Sequence, residues 1–181
     1  DQYEMQKAYA SQQFTLAYQP KHCLQTGVTT GFEALLRWRH PTQGMISPSD
    51  FIPIAESAGL IDLLGMWALR TACRDAAAWP PPHGRPLKVA VNMSPIQLRR
   101  GAFAFSAVEQ ALETSGLAPE SLEVEVTESA LMSDTVDTLT SIRRLGAGLA
   151  LDDFGTGYSS LSQLSRFPFT TLKIDKAFVD A

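Results

Sequence analysis

From residue 87 onward the chain repeats one pattern: a short apolar run, a turn signal, an amphipathic stretch, then another apolar run. Residues 87–93 read Leu-Lys-Val-Ala-Val-Asn-Met and residues 122–127 read Leu-Glu-Val-Glu-Val-Thr; residues 149–152 read Leu-Ala-Leu-Asp and residues 171–174 read Thr-Leu-Lys-Ile. Apolar runs this short, bounded by turn residues, are buried strands rather than helices. Between them, residues 104–115, 134–145 and 160–166 carry helical spacing, and Gly116 and Gly146 stop the first two. Strands alternating with helices predict an α/β fold with a mostly parallel sheet covered by helices.

The first half departs from that pattern. A short helix over 3–12 leads into a strand at 14–21, and a brief turn at 22–27 leads into a second strand at 28–38. A connection that short cannot make a parallel crossover, so these two strands pair antiparallel. An amphipathic segment comes next at 51–57, then a longer helix over 62–79, ended by the proline-rich run through Pro86. Six strands are predicted. A closed (β/α)₈ barrel needs eight over about 250 residues. An open doubly wound sheet is the alternative, weakened because no glycine-rich phosphate turn comes after the first strand.

Composition narrows the class. The chain has 181 residues, 45% hydrophobic and 19% charged, which suffices for one domain with its own core. No apolar run approaches the roughly 18 residues that span a bilayer, and the polar first residues carry no signal-peptide pattern. Net charge is -4 with no Lys/Arg stripe, which argues against a nucleic-acid polymer as partner. Cys23 and Cys73 stand far apart in no metal-ligand spacing, as free thiols of a reducing cytoplasm do. His22, His40 and His83 sit in turns or beside prolines and read as surface residues; Trp38, Trp67 and Trp79 read as packing residues.

Ligands of parallel α/β folds sit at the carboxyl ends of the strands, and there the polar residues collect. Glu33 and Arg37 lie on the second strand, Asn92 ends the third, Glu125 lies on the fourth with Glu128 just after it, Asp152-Asp153 end the fifth, and Lys173 and Asp175 mark the last. Two adjacent carboxylates are costly to hold together unless a cation sits between them. Gly155 and Gly157 let the chain turn directly after the pair, and Ser159 or Ser160 can cap the next helix. Taken alone, Asp-Asp-x-Gly fits a solvated strand end as well as it fits a metal site. Repetition on successive strands favours the metal. Carboxylate and amide oxygens suit Mg²⁺ or Mn²⁺, and two such ions can clamp the attacking and leaving oxygens of a phosphoester. Lys173 is a point charge suited to a developing anion or an attacking water. Arg37 fits an ion pair with Glu33 and phosphate recognition equally well. Glu123 and Lys88 read as a solvated or paired strand face.

These residues carry a resemblance. Tyr18-Gln19-Pro20, Glu33-Ala34-Leu35 within Gly-Phe-Glu-Ala-Leu-Leu-Arg-Trp, Val91-Asn92-Met93-Ser94, Glu125-Val126-Thr127-Glu128, Asp152-Asp153-Phe154-Gly155-Thr156-Gly157 and Leu172-Lys173-Ile174-Asp175 stand in order across nearly the whole chain. The chain resembles the EAL domain, the cyclic-di-GMP phosphodiesterase module of bacterial signalling proteins. The resemblance implies a modified TIM barrel whose first strand is antiparallel, and Mg²⁺- or Mn²⁺-dependent hydrolysis of cyclic di-GMP to linear pGpG. It implies one metal on the residues matching Glu33, Asn92, Glu125 and Asp152, and a second shared by Asp152 and Asp153. Glu33 and Asp152 join Lys173, which orients the attacking water, in the catalytic set. Gln19, Leu35, Arg37 and Asp175 match positions at the dinucleotide. Glu128 matches the anchor of the Asp-Asp-Phe-Gly loop, through which the family couples binding to homodimerisation.

The resemblance also implies a cytoplasmic module, or the cytoplasmic domain of a membrane-anchored parent, with an upstream sensor or diguanylate-cyclase (GGDEF) domain in that parent and no membrane contact of its own. The family continues past Val179 with two more strand–helix units, one carrying a glutamate that serves the second metal. Residues 1–181 are therefore expected to form one domain lacking those units, weak or inactive alone. The alternative to an enzyme is an incomplete module that acts as a cyclic di-GMP receptor or a protein-interaction domain.

Overall fold

The computed structural model describes residues 2–132, 134–155 and 164–175. Helix α1 (Gln2–Ala10) precedes a hairpin of β1 (Phe14–His22) and β2 (Thr29–His40), and a three-residue strand β3 (Gly44–Ile46) folds back on β2. Helices α2 (Pro48–Ser57) and α3 (Ile61–Ala77) come next. Then come β4 (Lys88–Asn92), α4 (Pro95–Leu98), α5 (Ala102–Ser115), β5 (Leu122–Thr127), α6 (Val136–Arg144), β6 (Gly148–Phe154) and β7 (Thr171–Ile174). The sheet order is β1-β2-β4-β5-β6-β7. β1 and β2 are antiparallel; every later pair along that order is parallel. This is the predicted α/β class, with the antiparallel first strand that the short turn required.

The sheet curls. Lys173 on β7 reaches Glu33 on β2, although β4, β5 and β6 lie between them in the sheet, and Lys21 on β1 reaches Glu125 on β5. A flat sheet with strands about 4.8 Å apart would separate such residues by roughly 15–20 Å. Side chains on one face therefore meet across a barrel-like interior, and the helices pack on the other face. Alternation sorts them: Ala34, Val89, Val91, Val124, Val126, Leu149 and Leu151 turn outward and are buried with Leu69, Ala72 and Cys73 of α3 and Val108, Ala111 and Leu112 of α5. A second core joins Met5 and Ala8 of α1, Phe14, Trp38, Phe51 and Leu64. Gly116, in the left-handed region at φ 70°, caps α5 and donates its N–H to Leu112 O.

Several local expectations change. β3 and α4 are additions to the predicted elements. α4 is short, but Ser94 begins it with a full capping box, in which the Ser94 N–H donates to Gln97 Oε1 (3.0 Å) and the Ile96 N–H donates to Ser94 Oγ (3.2 Å). The first helix ends at Ala10 and the long helix at Ala77. His40 is not a surface residue: its side chain is only 10% exposed, with Nε2 at 2.9 Å from Glu4 Oε1. Its Nδ1 accepts the Gln43 N–H at 3.1 Å, which leaves the proton on Nε2 to be donated to Glu4. The His83 side chain, most of the helix expected over 160–166, Gly157, the Ser159/Ser160 cap and residues 176–181 lie outside the described residues. Among the described residues, no helix is long and apolar enough to cross a membrane.

Candidate metal centre at the carboxyl ends of the strands

Strand registers bring the predicted residues to one level of the interior. Asn92 faces Glu125 across β4–β5, and Glu125 faces Ala150, two residues before Asp152, across β5–β6. The side chains then converge on one ammonium group. Lys173 Nζ lies 2.5 Å from Glu125 Oε2, 3.1 Å from Asp152 Oδ2 and 3.2 Å from Glu33 Oε2. Asn92 Nδ2 donates to Glu33 Oε1 at 2.9 Å, which turns the amide nitrogen inward and leaves Oδ1 as a hard oxygen donor. Glu33, Glu125 and Asp152 each offer a carboxylate oxygen, all within 4.8 Å of one another.

The electrostatics reflect burial. Glu125 is fully buried, and desolvation raises its carboxyl above the usual range although both lysines pull the other way. Burial would also raise Glu33, but the Asn92 hydrogen bond and the Lys173 charge outweigh it and hold Glu33 below that range. Burial disfavours the charged form of Lys173, yet Glu125, Glu33 and Asp152 together raise it well above an ordinary lysine. As an ammonium, Lys173 acts here as a donor.

Asp153 stands apart from the trio. It is exposed, and it holds a left-handed backbone at φ 56° that aspartate tolerates better than most residues. Its N–H donates to Asp152 Oδ1 at 2.9 Å. Desolvation, then the charges of Asp152 and Asp175, raise its carboxyl, so like charges crowd this acidic edge. Glu128 lies just past β5, 9% exposed; its Oε1 accepts the Gly155 N–H at 3.0 Å, and among the described residues its Oε2 has no partner.

The cluster borders two cavities. One, of about 580 Å³, opens toward the carboxyl ends and is lined by Leu35, Arg37, Asn92, Ser94 and Glu125 among others. The other, of about 730 Å³, lies toward the amino ends and includes Gln19, Lys21, Glu33, Glu123 and Lys173. The structure thus gathers Glu33, Asn92, Glu125, Asp152 and Lys173, puts Leu35 and Arg37 in the first cavity, and puts Gln19 beside Glu33 in the second. Asp175 lines neither cavity. Arg37 does not pair with Glu33 in the structure; its Nη1 donates to Leu36 O at 2.9 Å.

Two residues of the cluster carry no signal of their own in the sequence. Lys21 Nζ lies 2.5 Å from Glu125 Oε1 and 3.2 Å from Glu123 Oε1, and Thr171 Oγ1 donates to Glu123 Oε2 at 2.9 Å. Alternation puts Lys21 on the strand face of Gln19, but only the curled sheet brings it to Glu125. Four carboxylates (Glu33, Glu123, Glu125, Asp152) thus face two ammonium groups, a formal deficit of two positive charges. An all-oxygen donor set with that deficit fits one hard divalent cation.

Known proteins share this fold. A solved structure described as the PaMucR phosphodiesterase in complex with c-di-GMP superposes with a TM-score of 0.90 at 41% identity, covering 98% of this chain and 73% of that one. A Caulobacter vibrioides protein described as an uncharacterized signaling protein is 51% identical over 180 residues, 98% of this chain and 22% of its own. The cyclic di-GMP phosphodiesterase NbdA of Pseudomonas aeruginosa is 46% identical over 179 residues, 97% of this chain and 23% of its own. The chain therefore spans under a quarter of the length of these curated relatives. The family model of the EAL domain matches residues 2–181, and with the acid–lysine cluster in the interior of its curled sheet, this chain belongs to the EAL domain family.

Proposed function

We propose that the chain hydrolyses one phosphodiester bond of cyclic di-GMP, yielding linear pGpG, with Mg²⁺ or Mn²⁺ held by Glu33, Asn92, Glu125 and Asp152. The observation that carries this is the single ammonium of Lys173 shared by the three carboxylates on separate strands. A divalent cation bound there supplies charge neutralisation at a phosphoryl oxygen and a more acidic water. A second ion is assigned to Asp152 and Asp153, whose mutual repulsion it would relieve.

Each residue then has a task that its environment supports. Glu33, held below the usual carboxylate range, stays ionised as an acceptor. Lys173, which keeps its proton, fixes the attacking water by donating to its oxygen and stabilises negative charge as the phosphorus–oxygen bond breaks. Asp152 would serve as the carboxylate ligand shared between the two ion positions. Arg37, with guanidinium donors beyond its bond to Leu36 O, meets phosphate oxygens in the carboxyl-end cavity beside Leu35. Gln19 and Asp175 are assigned to the dinucleotide, and Glu128 to fixing the turn at Gly155.

The relatives support the wider setting. One matched relative, MucR of Pseudomonas aeruginosa, is described as a bifunctional diguanylate cyclase/cyclic di-GMP phosphodiesterase, consistent with an upstream sensor or GGDEF domain in the parent of this chain. Homodimerisation through the loop after Asp153 belongs to the same proposal; most of that loop lies outside the described residues. Cytoplasmic placement belongs to it too, because the substrate is an intracellular messenger.

Incubation with cyclic di-GMP and Mn²⁺, with nucleotides separated by anion exchange, tests this reading. The full-length protein that carries this chain is expected to accumulate pGpG, and residues 1–181 alone to form little or none. Asp152→Ala is expected to form none while retaining its circular dichroism spectrum. Tight nucleotide binding by the unaltered protein without product would replace the enzyme with a receptor.

A further inference from the structure

Glu125 is held on two sides. Lys173 takes Oε2 on the face shared with Glu33 and Asp152, and Lys21 takes Oε1. Lys21 lines the cavity toward the amino ends of the strands, away from Leu35 and Arg37. Glu123 holds the same ammonium at 3.2 Å and is itself held by Thr171 Oγ1 at 2.9 Å. A chain of contacts thus runs Thr171–Glu123–Lys21–Glu125 from the barrel floor to the metal-facing carboxylates.

We infer that Lys21 is a positioning residue for the metal centre: seated by Glu123, it fixes the carboxylate of Glu125 so that one oxygen faces Glu33 and Asp152. The inference rests on the proposed metal site. It assigns to the floor of the barrel a role that none of the strand-end motifs carries.

Two effects of Lys21 oppose each other. Its charge repels a divalent cation, while its hydrogen bond preorganises a ligand of that cation. Glu123 decides between them. Its carboxylate neutralises the ammonium, so the pair as a whole exerts little net field at the metal. What remains is geometry. Without Lys21, Oε1 of a fully buried carboxylate loses this partner, and a carboxylate in that position turns away instead of waiting in place. Partners that orient a metal ligand from behind typically change metal affinity by about 10–100-fold.

The test is Mn²⁺ binding, read from the free-ion electron paramagnetic resonance signal without substrate. The double variant Lys21→Met/Glu123→Gln removes one positive and one negative charge together, so it tests geometry at constant net charge. It is expected to bind Mn²⁺ about 10-fold or more weakly than the unaltered protein, and its half-saturating Mn²⁺ for hydrolysis is expected to rise with kcat at saturating metal largely kept. Unchanged or tighter Mn²⁺ binding would overturn the role of Lys21. If the double variant does not melt cooperatively, Lys21→Gln alone decides, because loss of charge by itself would tighten binding: weaker binding supports positioning, and equal or tighter binding overturns it. Absence of Mn²⁺ binding by the unaltered protein would instead overturn the metal reading.

Discussion

Cys23 and Cys73 differ only in where the chain puts them. Cys73 is fully buried in α3 against the sheet, and burial pushes its thiol up to about 12. Cys23 is half-buried in the turn after β1, where hydrogen bonds from the Thr26 side chain and backbone lower its thiol. The thiolate is the reactive form. Ellman's reagent at pH 8 is therefore expected to titrate one thiol quickly and the second only after guanidinium is added; two fast thiols in the native protein would contradict the buried position of Cys73. That both are free was legible from their spacing. That they differ was not, because burial depends on which face of which element each occupies. The same limit separates the site residues. Glu33, Asn92, Glu125, Asp152 and Lys173 announce themselves as polar side chains at the ends of apolar runs. Lys21 sits in an ordinary alternating strand, and its significance appears only when the sheet curls and brings β1 opposite β5.

Elements were more legible where local chemistry and tertiary packing agree. β5 and β7 fall on the predicted residues because their apolar runs are bounded by turns or charges on both sides. β3 has only three residues and exists because β2 offers it an edge, a tertiary cause with no local signal. α4, by contrast, had one: Ser94-Pro95-x-Gln97 is a capping box with proline in the first turn. The same Gln97 constrains α3, since a Cβ on Gly65 would lie 2.7 Å from Gln97 Cδ. Gly65→Ala is expected to cost about 1–2 kcal/mol and to lower Tm by roughly 3–6 °C for a chain of this size. Gly31 is stricter, because there the obstacle is backbone: its Cβ would lie 2.9 Å from the Lys88 carbonyl carbon and overlap the carbonyl oxygen. Gly31→Ala is expected to prise β2 from β4 and to cost roughly 3 kcal/mol. Urea melts of the two variants check the order; an unperturbed Gly31→Ala protein would mean that β2 and β4 are not so closely paired at that point.

At the scale of the whole molecule, the sheet's curvature is what converts scattered strand-end residues into one centre. The antiparallel β1–β2 hairpin, parallel β4–β7 and outer helices place Glu33 of β2 against Lys173 of the edge strand β7. Fold class and strand direction could be reasoned from connection lengths; closure of the interior could not, since it depends on shear and twist summed over every strand. The central claim is that Glu33, Glu125 and Asp152 hold a divalent cation that hydrolysis requires. The most direct measurement is pGpG formation from cyclic di-GMP by protein stripped with EDTA and dialysed, then supplied with Mn²⁺ or Mg²⁺ in increasing amounts. The expected result is no product after stripping, recovery that saturates with added metal, and no recovery at any metal concentration in Asp152→Ala. Undiminished product from the stripped protein, with no response to added metal, would contradict the claim.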